Sequence, residues 1–212
     1  MTVTCRFRKY LLTLTLFFLL VVIPPSSLAA PPPEIALEKI TDELYFVSDN
    51  RGQGNSVLFI GADSVLLVDT KTPELAEQIL ASAAALTDKP IRYVINTHWH
   101  PDHVRGNETM KRAGGVIIAH RNVRERMSTE QYNDYFDRTF PPAPETALPG
   151  IVFAGKLTFE LNGDEVHIFH PGSGHTDGDA VVFFKKANVI HMGDLYFAGM
   201  YPYIGYSSGG NA

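Results

Sequence analysis

Residues 97–103 read Thr97-His98-Trp99-His100-Pro101-Asp102-His103, so four side chains able to bind a metal, His98, His100, Asp102 and His103, fall within six residues. Imidazoles and a carboxylate packed this closely are a costly arrangement unless a cation pairs them. The spacing excludes a helical site for the first two, because residues two apart on a helix point roughly 200° from each other. At the end of an extended strand they project to the same side. Pro101 disfavours continued regular structure, so the chain is expected to turn there and redirect Asp102 and His103 toward a second point. One loop could then serve two neighbouring ions. Two later segments extend the set. Pro171-Gly172-Ser173-Gly174-His175-Thr176 follows a strand-like run, and its small residues let the backbone approach closely and present His175 inward. The apolar run Val189–Met192 ends in Gly193-Asp194, a carboxylate at a strand terminus. Alone, His175 and Asp194 read as ordinary surface residues; beside the cluster they become candidate ligands.

The elements that must position these groups are legible in the apolar pattern. Ile40 and Leu44–Val47 flank a Thr-Asp-Glu turn, and Ser56–Ile60 and Ser64–Val68 flank Gly61-Ala62-Asp63, which predicts two hairpins. Pro73 opens an Ala/Leu-rich helix to about Leu86, with Thr72 as its N-cap. Ile91–Asn96 is a buried strand that delivers His98 at its C-terminal end. Short helices at Asn107–Arg112 and Arg121–Met127 bracket a strand at Val116–Ala119. Tyr132–Phe140, rich in aromatics, is read as helical, and the prolines at 141, 142, 144 and 149 make a loop. Strands Lys156–Leu161 and Val166–His170 turn at Asn162-Gly163, and Ala180–Phe184 pairs with Val189–Met192. Strands, then alternating helices and strands, then strands again predict sheets covered by helices on the outside.

Composition bounds the rest. A chain of 212 residues, 45 % hydrophobic and 19 % charged, has the composition of one globular domain. A net charge of -5 is poorly suited to a phosphate backbone, which argues against nucleic acid as substrate and against a nuclease. Arg6, Arg8 and Lys9, the apolar run Leu11–Ile23 and the small residues Ser27 and Ala29 have the layout of a secretory signal peptide over residues 1–30, giving a periplasmic or secreted product. The apolar run is shorter than the roughly 20 residues of a spanning helix, so no stable membrane anchor is expected after cleavage. Cys5, the only cysteine, precedes that run, which leaves the mature chain without disulfides and any metal to His and carboxylates.

His-Trp-His-Pro-Asp-His resembles the signature of the metallo-β-lactamase superfamily, and His175 in Gly-His-Thr and Asp194 in Gly-Asp are similar to that family's next ligands, in the same order. The resemblance runs from about Ile35 to the end. It implies an α+β, four-layer αββα sandwich: two mixed β-sheets face to face with helices outside, the second half incomplete. It implies two zinc ions in the complete enzyme, one held by His98, His100 and His175, the other by Asp102 and His103, with Asp194 bridging. Asp69 matches a position that supports the site from behind. Asp102 is implied as the catalytic residue, orienting a metal-held hydroxide that hydrolyses an ester, thioester, lactam or similar bond in a small-molecule substrate. The family pattern also includes a later Pro-Gly-His-Gly-like segment with a further histidine, and no histidine follows His191. Residues 31–212 are therefore expected to be such a domain lacking its C-terminal part, with an incomplete second site. The alternative expectation is an inactive metal-binding remnant. The Tyr201–Ile204 to Gly-Gly ending is similar to exported hydrolases associated with periplasmic quinoproteins. His120, His167, His170 and His191 are read as ordinary residues, since metal sites recruit few groups.

Overall fold

The computed structural model of the chain describes residues 30–134 and 136–212; the expected signal peptide lies, but for Ala30, outside the described residues. From Pro32 onward the chain is one unit built on two sheets. The larger sheet has seven strands. β1 (Ile35–Lys39), β2 (Leu44–Asp49), β3 (Ser56–Ile60) and β4 (Val65–Val68) run antiparallel by successive hairpins. β5 (Ile91–Asn96), β6 (Val116–His120) and β9 (Ile151–Phe153) then add in parallel. Parallel neighbours need crossovers. These are α1 (Pro73–Leu86) between β4 and β5, and α2 (Pro101–Val104) with α3 (Asn107–Arg112) between β5 and β6. The second sheet, β10 (Lys156–Leu161), β11 (Asp164–Phe169), β12 (Val181–Phe184) and β13 (Val189–His191), is antiparallel throughout, where mixed pairing was expected of both sheets. Each of its strands returns directly on the last, so no crossover is required.

Period-two alternation sorts the core into layers. In β4, Leu66 and Val68 face the second sheet and pack with Phe59, Ile95, Val166, Ile168, Val182 and Phe184. Val65 and Leu67 face the helices and pack with Ala76, Ile79 and Met110. A third cluster gathers Trp99, Val104 and Ala119 with Val123 and Met127 of α4 (Arg121–Met127). On the outer face of the second sheet Phe169 and Ile190 are exposed. Among the described residues no helix is long and apolar enough to cross a membrane.

Two local expectations change. Among the described residues of 131–140 there is no helix: β7 (Gln131–Asn133) and β8 (Arg138–Phe140) pair antiparallel, with Tyr132 opposite Thr139. Aromatic and β-branched side chains favour this pairing, and Asp137 supplies a left-handed turn residue at φ 46°. Pro101 starts a one-turn helix instead of ending regular structure, since at N1 its lack of an N–H costs nothing. Thr72 sits at the N-cap of α1 with extended backbone, but its side chain makes no capping bond to the helix.

At the end of the sandwich remote from the histidines, Asn162 ties the sheets together. It lies in the β10–β11 turn at φ 55°, and its side chain accepts from Asp63 N (2.9 Å) and Ser64 N (3.2 Å) and donates to Ser64 O (3.0 Å). Asn tolerates that left-handed backbone and Ala does not. Asn162→Ala also strands two backbone donors, so it is expected to lower unfolding stability by about 2–3 kcal/mol in urea titration. An unchanged midpoint would show that the tie is incidental.

Candidate metal centre

Because β4 and β5 are parallel neighbours, their C-terminal ends lie side by side, and the residues that follow them meet. Asp69 follows β4; Thr97 and His98 follow β5. Asp69 is fully buried and its carboxylate accepts three bonds: from Thr97 N (2.8 Å), Thr97 Oγ1 (2.7 Å) and His103 Nδ1 (2.7 Å). Its backbone is left-handed at φ 60°, an uncommon conformation held by those bonds and by Asp69 N donating to Ile95 O. Thr70 adds its own link, its N–H and hydroxyl both donating to His103 O. Asp69 thus fixes the strand end and the one-turn helix relative to each other. These bonds fit the supporting position that the family resemblance implied for Asp69.

These contacts orient imidazole lone pairs. The Thr97 hydroxyl donates to Asp69, so its oxygen is left to accept from His98 Nδ1 at 3.1 Å. His98 Nε2 then carries the lone pair, and it is buried with no hydrogen-bond partner. His103 gives its Nδ1 proton to Asp69, and its Nε2 is likewise buried and unbonded. His175 gives its Nδ1 proton to the carbonyl of Tyr203 (2.6 Å), which leaves Nε2 bare, 2.8 Å from His100 Nδ1. His100 Nε2 meets Ser208 Oγ at 3.1 Å, and a hydroxyl can serve either tautomer. Ring centroids stand 4.0–4.8 Å apart between His98 and each of His100, His103 and His175.

Two overlapping sets of atoms, each within 4.8 Å of one another, could hold a metal: His98, His100 and His175, and His98, His103 and Asp194. Asp194 spans both sets, with Oδ1 3.2 Å from His103 Nε2 and Oδ2 3.7 Å from His175 Nε2. Those are ion-pair distances without hydrogen-bond geometry for His103. Asp102 lies beside the second set instead of within it: Oδ2 is 3.6 Å from His103 Nε2 and accepts from Gly54 N at 3.0 Å. A Cβ on Gly54 would come within 2.1 Å of His103 Nε2, so only glycine fits this cradle. The Gly54 segment is held by Lys71, which donates to Gly54 O and, at 2.8 Å, to Asp49, in an ion pair with both side chains buried.

The electrostatics favour a cation. Burial, and then the neighbouring imidazoles of His103 and His100, hold His98 well below 6.5. Burial and His175 lower His100 to about 3. Burial opposes charge on His103 too, but Asp69, Asp194 and Asp102 outweigh it and raise its pKa well above 6.5. Burial would raise Asp194, yet His103 and the other imidazoles outweigh it and keep Asp194 ionised. His98 and His100 thus stay neutral beside a carboxylate, the protonation a metal ligand needs.

Of the six residues expected to bind metal, five enter the two sets and Asp102 stands at their edge. His120 and His170 are stacked on each other with centroids 4.2 Å apart, and bond to the carbonyls of Ala154 and Asp179. His167 bonds to Thr158, and His191 approaches Asn55 O at 3.3 Å; neither joins a set. The sequence reading passed over Thr97, Gly54, Lys71, Ser208 and the Tyr203 carbonyl. Thr97 and the Gly-Gln-Gly run at 52–54 carried a local signal. Ser208 lies 108 residues from His100 and carried none.

A two-sheet α+β sandwich with histidines and carboxylates gathered at its strand ends defines a candidate metal-binding protein. The family model of the metallo-beta-lactamase superfamily matches residues 49–209, and the chain belongs to that superfamily. A metallo-beta-lactamase type 2 of Elizabethkingia meningoseptica is 24 % identical over 177 residues, 78 % of this chain and 64 % of the relative. A hydroxyacylglutathione hydrolase of Brucella anthropi is 32 % identical over 157 residues, 71 % of this chain and 48 % of the relative. The chain thus spans about half to two thirds of the length of these curated relatives. The fold matches a metallo-beta-lactamase from Pontibacter korlensis with TM-score 0.59 at 20 % identity, over 72 % of this chain and 68 % of that one. It matches DIM-1 metallo-beta-lactamase exposed to ceftazidime with TM-score 0.65 at 16 % identity, over 85 % and 79 %.

Replacing Asp69 by Ala frees His103 and Thr97 to rotate and is expected to weaken metal affinity about 10–100-fold, measured by competition with a chromogenic chelator. Unchanged affinity would remove Asp69 from the site's support. The buried neutral imidazoles also set a pH dependence for the metal-free protein. With its folded pKa near 3 and its unfolded value at 6.5, His100 takes up a proton on unfolding anywhere between them. Its contribution is therefore complete above 6.5 and is lost as pH falls toward 3; His98 acts in the same sense. His103, raised when folded, acts oppositely: its contribution is complete below 6.5 and is lost only as pH rises through its folded value. His100→Gln should accordingly flatten the acid limb of thermal stability in chelator-treated protein. An acid limb of unchanged slope would contradict the assignment.

Proposed function

We propose that the chain is the core of an exported, zinc-dependent hydrolase that cleaves an ester, thioester, lactam or similar bond in a small molecule. The observation that carries this reading is the pair of buried, unbonded nitrogens, His98 Nε2 and His103 Nε2, in a cluster that also holds an ionised Asp194. Unpartnered buried polar atoms are costly, and a metal ion, displacing the proton that His103 holds in its absence, is the partner that suits imidazole nitrogens and a carboxylate together. His98, His100 and His175 would hold one ion; His103 and Asp194, with Asp102 alongside, would hold a second. Zinc suits an all-imidazole and carboxylate set with no thiolate. When bound, such a metal supplies Lewis acidity and an acidified water at neutral pH.

The chain's own residues do the remaining work. Two hollows of about 720 and 290 Å³ share Asp102 and Asp194 in their walls, so a substrate bound across them lies over both ligand sets. Phe46, Val57, Val189, Tyr196 and Phe197 make the larger hollow substantially apolar, which orients the unreactive part of a substrate and limits water. Asp102 is partly exposed, with one oxygen held by Gly54 N–H. A carboxylate so placed can take a proton from the attacking water and return it to the leaving group. Export rests on the residue 1–30 pattern, and the exclusion of nucleic acid on the acidic charge balance. One relative is named for β-lactam and another for hydroxyacylglutathione hydrolysis, so both bond types belong among the substrates tested.

Zinc-loaded protein should hydrolyse at least one of a chromogenic lactam, a thioester and an aryl ester, and lose the activity to a chelator. About two zinc ions per chain would accompany turnover; one weakly held ion without turnover favours the inactive metal-binding reading. Asp102→Asn should retain the fold and the thermal midpoint while kcat falls about 10²–10⁴-fold. Full turnover in that variant would take Asp102 out of the mechanism.

A further inference from the structure

Each imidazole of the metal centre turns one nitrogen inward and needs a partner for the other. The Thr97 hydroxyl meets the outer nitrogen of His98, the Asp69 carboxylate that of His103 and the Tyr203 carbonyl that of His175; in all three the outer nitrogen is Nδ1. His100 is seated the other way round. Its Nδ1 points inward, 2.8 Å from His175 Nε2, and its Nε2 points outward to Ser208 Oγ at 3.1 Å. Ser208 is fully buried, in a single turn of 3-10 helix at Tyr206–Ser208.

A strap formed by residues 203–211 holds that hydroxyl in place. It crosses the His175 loop, with Gly205 N donating to His175 O (2.9 Å), Asn211 N to Gly174 O (2.9 Å) and Asp177 N to Ser208 O (3.1 Å). Arg126 of α4 fastens the crossing from behind, donating to Asp177 through two bonds of 2.7 Å and to Ser207 O at 3.3 Å. The fit leaves no slack: a Cβ on Gly209 would come within 2.6 Å of Arg126 Nη2, and one on Gly210 within 2.5 Å of His175 O.

We propose that Ser208 is a positioning residue of the metal centre: its hydroxyl accepts the Nε2 proton of His100, so that His100 presents Nδ1 to a metal held together with His98 and His175. The proposal rests on the reading of those three histidines as a ligand set. A ligand nitrogen must offer its lone pair, so with Nδ1 engaged the proton of neutral His100 is confined to Nε2. Without the hydroxyl that N–H is buried with no acceptor. The tautomer with the proton on Nδ1, shared with His175 Nε2, then gains at the expense of the one that binds metal. The strap thus serves two ligands at once, His175 through the Tyr203 carbonyl and His100 through Ser208.

The test measures the zinc affinity of the full chain by competition with a chromogenic chelator, and reads the imidazole tautomers of the zinc-loaded protein from long-range proton–nitrogen NMR correlations. The unsubstituted chain should show His100 protonated on Nε2 and bound through Nδ1, opposite to His98 and His175. Ser208→Ala should weaken zinc about tenfold with unaltered circular dichroism. The same substitution should cost nothing in a His100→Ala background, because the hydroxyl acts through that ring. The tautomer measurement needs no substitution, so it decides the matter even if Ser208→Ala fails to fold. A chain that binds no zinc would overturn the ligand set together with this proposal. Zinc bound with His100 protonated on Nδ1, an affinity indifferent to Ser208→Ala, or an equal loss in the His100→Ala background would overturn the role of Ser208 alone.

Discussion

Everything at the strand ends depends on one buried carboxylate. Asp69 accepts from Thr97 and from His103, and through the Thr97 hydroxyl it reaches His98. Those bonds place the outward-facing protons of two imidazoles and so turn the opposite nitrogens inward. His175 is set in the same way by a carbonyl, an acceptor that offers no choice of tautomer. Imidazole nitrogens and a carboxylate directed at a common point inside a low-dielectric interior are costly to hold together, and in the absence of a metal the proton on His103 offsets part of that cost. They are stable together only if a positive charge is shared among them. The polar network behind the ligands decides what the ligands can do.

That network explains features of the fold that packing alone would not require. The left-handed Asp69 and Lys71 bend the chain sharply after β4, so that Asp69 turns to the site while Lys71 turns to Asp49 and Gly54. The buried Lys71–Asp49 pair is costly to desolvate, and its value lies in what it holds. It keeps the Gly54 segment against His103, where no side chain would fit. From there the Gly54 N–H fixes Asp102. The chain from β2 through β4 thus contributes no ligand to either set, yet it sets the positions of His103 and Asp102.

The larger sheet supplies rigidity in the way its topology dictates. Parallel pairing of β4 with β5 puts two strand termini side by side, and the crossover helices cover the opposite face. The second sheet delivers His175 and Asp194 from loops after β11 and β13, and the inter-sheet core between Leu66, Ile95, Val182 and Phe184 holds the two sets of loops in register. Functional loops on a stiff two-sheet base are what allow six groups scattered over nearly a hundred residues to meet.

The sequence by itself determined the chemistry that was local. Histidines two apart at a strand end, a proline turn and an aspartate–histidine pair lie within six residues, and their crowding implies a metal whatever surrounds them. Alternating apolar runs likewise marked most strands and helices, because burial on one face leaves a period in the residues; the 131–140 hairpin escaped because its strands are too short to show one. Only the tertiary structure decided which distant groups complete the site. Ser208 meets His100, the Tyr203 carbonyl meets His175, and the Lys71–Asp49 pair holds Gly54 to His103. Residue type and spacing reveal a group's chemistry, but its partner, its tautomer and its protonation follow from what the folded chain brings within about 3 Å of it.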